Sequence, residues 1–138
     1  MIDIQLRSEP LDAQTCLDAV ASDKAGGHVL FVGTVRDHTQ GKKVNKLHFE
    51  SYEPMAVKEM RKIAERAMNK WPLLGISVHH RVGELDIGEI PVIIAVSSAH
   101  RKEAFAACEF VIDELKKTVP IWKKEYFDDG EVWVAAHP

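Results

Sequence analysis

The feature that most constrains this chain is the passage from an unbroken apolar run into a helix and out through a proline. Ile90 to Val96 carries almost no polar residue and has the length of a strand, so it is read as a central strand buried on both faces. It leads directly into Ser97–Glu125. There Ala104, Cys108, Val111, Ile112 and Leu115 recur at the spacing of one helix face. Ser98 is the expected N-cap, and Pro120 stops the helix shortly after Thr118. The charges at the two ends of this helix are unusual. His100 and Arg101 stand in the first turn, where the helix dipole disfavours cations and where free N–H groups make an anion site, phosphate above all. Lys116 and Lys117 close the helix, and Lys123 and Lys124 follow the proline. Lysines in a last turn are ordinary, since the dipole favours them; the His-Arg pair is not.

The rest of the chain supplies the layers around that element. Ile2, Ile4 and Leu6 alternate with polar residues as a half-buried or edge strand, and a helix follows Pro10 from about Leu11 to Ala21. Cys16 falls on its apolar stripe as a small core residue. His28 to Arg36 reads as a strand covered on both sides, Arg36 to Lys43 as a mobile polar loop, and Lys46 to Tyr52 as a strand returning in a hairpin with the one before. Pro54 opens a second helix with Ala56, Met60, Ile63, Ala64 and Ala67 inward; its charged face is expected to be solvated and laced by i,i+4 pairs. Trp71-Pro72 ends it. Ile76 to Val82 is a strand, Gly83 to Gly88 a turn-rich connection, and Ile121–Phe127 with Glu131–Ala135 a closing hairpin. One α+β domain over residues 1–138 is expected, with several strands and three helices.

Composition excludes several functions. The net charge of −3 over 138 residues argues against a general nucleic-acid binder, so any basic site is local. No apolar run approaches the roughly 20 residues that span a bilayer, and the first residues lack the pattern of a signal peptide. Two distant cysteines, Cys16 and Cys108, make no disulfide framework, which points to the cytoplasm. His79 and His80 are adjacent on a strand and face opposite ways, and no metal-ligand spacing occurs, so neither metal nor cofactor is expected. Cys108, on an apolar helix face, reads as a buried thiol rather than a nucleophile. Arg36, His100, Arg101, Lys116 and Lys123 remain. Such a set suits an anionic small molecule, with lysine as proton donor or carbonyl partner.

Four motifs then resemble one family. They are Phe31-Val-Gly-Thr-Val-Arg36; Trp71-Pro with His80-Arg-Val-Gly-Glu84-Leu; Ser97-Ser-Ala-His100-Arg101; and Leu115-Lys116 through Pro120-Ile-Trp122-Lys123-Lys-Glu125. In order and spacing they are similar to the large, catalytic subunits of molybdopterin synthase, over nearly the whole chain. The resemblance implies an α/β hammerhead-type α+β fold, mostly antiparallel, and a homodimer within a heterotetramer. At each end a small ubiquitin-like carrier would insert its C-terminal Gly-Gly thiocarboxylate, and its sulfur would pass to cyclic pyranopterin monophosphate to build the molybdopterin dithiolene. It implies catalysis by Lys116 and Lys123 and substrate binding by Arg36, His100 and Arg101, and leaves out Lys117 and Lys124. His137 stands where the family pocket commonly has an arginine. Two other functions fit the cations alone: a lysine Schiff-base lyase acting on a phosphorylated carbonyl compound, and a non-catalytic adaptor for a ubiquitin-like protein.

Overall fold

The computed structural model describes residues 1–135; His137 lies outside the described residues. The element order is β1 (Ile2–Arg7), α1 (Ala13–Val20), β2 (Gly27–Gly33), β3 (His38–Thr39), β4 (Lys42–Ser51), α2 (Glu53–Lys70), β5 (Leu73–Arg81), β6 (Gly83–Asp86), β7 (Val92–Ser98), α3 (Arg101–Thr118), β8 (Ile121–Phe127) and β9 (Gly130–Ala135). The fold is α+β with three helices and mostly antiparallel strands, as the sequence predicts; β1 with β5 is the one parallel pairing among the described residues.

The strands form two sheets. In the first, ordered β1-β5-β7-β2, every residue of β7 is buried, which is what its unbroken apolar run requires. Helices α2 and α3 cover one face and bury the main core, including Met60, Ile63, Ile94, Val111 and Leu115. Each such side chain contributes about 1.5–3 kcal/mol by leaving water. Helix α1 covers the other face over a smaller cluster of Cys16, Val20, Ile93 and Ala95. The second sheet is ordered β3-β4-β8-β9, with β6 also on β4. Its Val44, Leu47, Phe49, Leu85 and Ile121 join the main core.

Several expectations need correction. Strand β2 ends at Gly33, lies at the sheet edge and exposes His28 and Leu30, so it is not covered on both sides. Its apolar residues could not reveal that no strand lies beyond it. Nor do β2 and β4 form a hairpin: they belong to different sheets, and β4 pairs with β3, β6 and β8. The segment read as a loop is itself a tight hairpin, with β3 and β4 joined through Gln40 (φ 49°) and Gly41 (φ 80°), two residues in the left-handed region. Gly83–Asp86 is a short strand on β4, not only a turn. Helix α1 starts at Ala13, with Asp12 accepting from the Thr15 N–H at 3.1 Å. On α2, Arg66 leaves the solvated face to bond Glu114 of α3 at 2.8 Å, and Lys62 pairs with Glu59 at i,i+3.

Candidate active site

Helix α3 carries cations at both ends, as its sequence suggests, but its cap differs. His100 is the N-cap residue and makes no side-chain capping bond, while Ser98 ends β7 and donates its hydroxyl to the His100 carbonyl. Arg101 is thus the first helical residue, and both it and His100 are exposed. The helix runs unbroken to Thr118, so His100 and Lys116 lie about 24 Å apart along its axis at 1.5 Å per residue.

At the far end of α3 the two sheets and the helix enclose a pocket of about 470 Å³. Lys116 from the last turn of α3, Lys123 from β8 and Arg36 from the segment after β2 all line it, with Glu125, His80 and Phe49. Alternation along β8 explains the choice: Lys123 and Glu125 face the pocket, whereas Trp122 and Lys124 face outward. Neighbouring lysines go elsewhere. Lys117 pairs with Glu114 at 3.1 Å, and Lys124 pairs with Glu131 at 2.8 Å and lies 5.0 Å over the Trp133 ring. Among the described residues, Arg36, Lys116 and Lys123 make no ion pair. The structure therefore brings together three of the five expected residues and leaves His100 and Arg101 at the opposite end of the helix.

Two pocket groups escaped the sequence reading. Glu125 is 5% exposed, yet among the described residues its carboxylate has no hydrogen bond or ion pair. A buried carboxylate is costly unless something pairs with it, and the cations around the pocket are the groups at hand. The signal was there in period two, since Glu125 shares Lys123's face of β8. His80 forms part of the pocket wall from β5; its Nδ1–H donates to the Arg81 carbonyl at 2.8 Å, and its ring meets Phe49 edge-on at 5.3 Å. Burial pushes its pKa down to about 4, against a smaller upward pull from the Arg81 carbonyl, so its imidazole is neutral at neutral pH. Cys108 is buried on α3, and burial pushes its thiol up to about 11. No group of three or more His, Cys, Asp or Glu among the described residues is arranged to hold a metal ion.

The family model described as MoaE protein matches residues 6–118 of the chain. The chain belongs to the MoaE family. Among MoaE relatives, the molybdopterin synthase catalytic subunit of Pyrococcus abyssi is 43% identical over 128 residues, 93% of this chain and 86% of that protein. The Bacillus subtilis subunit of the same name is 43% identical over 94% of this chain and 83% of its own length. The crystal structure of molybdopterin synthase from Staphylococcus aureus superposes with a TM-score of 0.90 at 41% identity, covering 94% of each chain. The MoaE match also spans the elements that build the pocket up to Lys116. No helix among the described residues is long and apolar enough to cross a membrane.

Proposed function

We propose that this chain is the catalytic subunit of a molybdopterin synthase, a sulfurtransferase acting as one domain over residues 1–138. The convergence of Arg36, Lys116 and Lys123 on one pocket, with no ion-pair partner among the described residues, carries the reading. The substrates are a thiocarboxylate at the Gly-Gly tail of a small ubiquitin-like carrier and cyclic pyranopterin monophosphate. Both are anions, and a pocket with three cations and one carboxylate attracts them. Lys116 and Lys123 hold the thiocarboxylate as its sulfur bonds to the pterin, and donate protons as water then releases the acyl group as the carrier's carboxylate; Arg36 binds the pterin in the same pocket. A glycine tail is required because a side chain could not follow it into a narrow pocket. Both cysteines are buried and unpaired, in keeping with the cytoplasm.

The substrate's phosphate is assigned to His100 and Arg101 of a second copy. One chain cannot bring α3's two ends to one small molecule, whereas a two-fold axis sets the N-terminus of one α3 beside the C-terminus of the other. The edge of β2 suits that contact. Beside it Leu30 and Phe105 are 37% and 61% exposed and border an apolar groove continued by Val29 and Ile112. The assembly is thus a homodimer with a carrier at each end, a heterotetramer. The deciding experiment supplies thiocarboxylated carrier and cyclic pyranopterin monophosphate with and without this chain and scores dithiolene product. Product formation that does not depend on the chain would defeat the proposal.

A further inference from the structure

On the face of β5 turned away from the pocket, two buried side chains and a half-buried carboxylate form a relay that the proposed reaction does not use. His79 Nε2 lies 2.7 Å from Asp3 Oδ2, and Cys16 Sγ lies 3.3 Å from His79 Nδ1. Cys16 and His79 are 0% and 1% exposed beneath α1. The donors follow from the acceptors. Burial pushes the Asp3 carboxyl up, but hydrogen bonds from His79 and Ser77 outweigh it and hold the group below its ordinary value, so it is an ionised acceptor. His79 Nε2–H must therefore donate to it. With Nε2 donating, Nδ1 is the atom that can accept from the Cys16 S–H, and the Ser77 hydroxyl also bonds the sulfur. A nucleophile, a base and a carboxylate that orients the base stand in sequence. Cys108, the other thiol, has only a backbone contact at Phe31.

We propose that Cys16 is an oxidation site for a small hydroperoxide, with His79 as its base and Asp3 as the group that orients His79. The thiol proton passes to His79 Nδ1 as Sγ attacks one peroxide oxygen and the O–O bond breaks. The departing oxygen takes the proton back from His79 and leaves as water from hydrogen peroxide, or as an alcohol from an alkyl hydroperoxide. Sulfur loses two electrons, the peroxide gains them, and the product is a sulfenic acid. Burial pushes the Cys16 thiol up, against a smaller downward pull from the Ser77 hydrogen bond, so the proton must be taken by a neighbouring base as sulfur reacts. Burial also selects the oxidant. Cys16 is fully buried beneath the eight-residue α1, so a small oxidant needs less local opening to reach it than a bulky reagent does. With Cys16 0% exposed, an oxygen added to its sulfur enters an already filled interface and should loosen the helix.

The test treats the full chain with hydrogen peroxide, traps sulfenic acid with dimedone and quantifies each cysteine by mass spectrometry. Cys16 should be trapped at least about tenfold faster than Cys108, and His79→Gln should slow it about 100-fold, the usual contribution of a positioned base. A bulky maleimide should leave Cys16 unlabelled in the folded chain, and the oxidised protein should melt at a lower temperature. Equal rates at the two cysteines, or no trapping at either, would overturn the proposal. So would maleimide labelling as fast as oxidation, which would mean that simple unfolding exposes the thiol. If His79→Gln fails to fold, the ratio of the two cysteines in the wild-type chain decides the matter.

Discussion

The two faces of β5 present adjacent histidines to opposite environments. His79 faces α1, where it belongs to a hydrogen-bonded chain: Asp3 accepts from His79 and from Ser77 at 2.8 Å, and Cys16 meets the remaining ring nitrogen. His80 faces the pocket, where Lys116, Lys123, Arg36 and Glu125 gather without ion pairs among the described residues. Both histidines are equally buried, so burial alone does not set their roles apart. Pairing does: His79 belongs to a hydrogen-bonded chain that ends in a thiol, whereas the buried carboxylate and three cations around the pocket have no ion pair among the described residues and suit an anionic ligand.

That contrast can be broken in several ways, beginning with the pocket. Lys116→Ala should lower dithiolene formation by about 100-fold or more while leaving the melting temperature nearly unchanged, because an unpaired helix-end lysine adds little to stability. Lys123→Ala should follow, less severely. Normal turnover in either would remove the pocket from the chemistry.

The next effect is on stability in acid. The unfolded chain protonates His80 near 6.5, but the folded chain resists until about 4, so acid favours unfolding through this group. Its contribution is complete above 6.5 and is lost as the pH falls toward 4, amounting to roughly 3 kcal/mol at about 1.4 kcal/mol per pH unit. Urea titrations across that window should show the decline, and His80→Gln should flatten it. An unchanged acid limb in that variant would assign the loss to other groups, such as Asp3, whose lowered pKa places its own loss at more acidic pH.

A smaller signal sharpens the link between the pocket and the far end of α3. Arg101→Ala and Lys116→Ala chains, each inactive alone, should on subunit exchange recover about a quarter of wild-type activity, since half the pairs are mixed and each mixed pair has one intact site. Proven exchange without recovery would mean that each site uses a single chain. The smallest effects belong to the paired lysines. Lys124→Ala, losing the 2.8 Å contact with Glu131, should cost less than about 1 kcal/mol by thermal melting and leave activity intact. Lys62→Ala should change neither. A strong activity loss from either would show that cations outside the pocket also take part.

Much of this was legible in the chain itself. Periodicity located α2 with all five of its inward residues and marked β7 as buried on both faces, because those patterns depend only on which neighbours are apolar. The continuity of α3 separated His100 from Lys116, while only the family resemblance set Lys123 apart from Lys124. What the sequence could not express was partnership between distant segments. The separation of β2 from β4 into different sheets, the open edge of β2 and the small hairpin over residues 38–43 all depend on which strand lies beside which. Apolar alternation is the same for an edge strand and a central one. The meeting of Arg36, Lys116 and Lys123 required three elements to converge, as did that of Asp3, His79 and Cys16. A local pattern determines which way a side chain points along its own element; only the packed chain decides what it finds there.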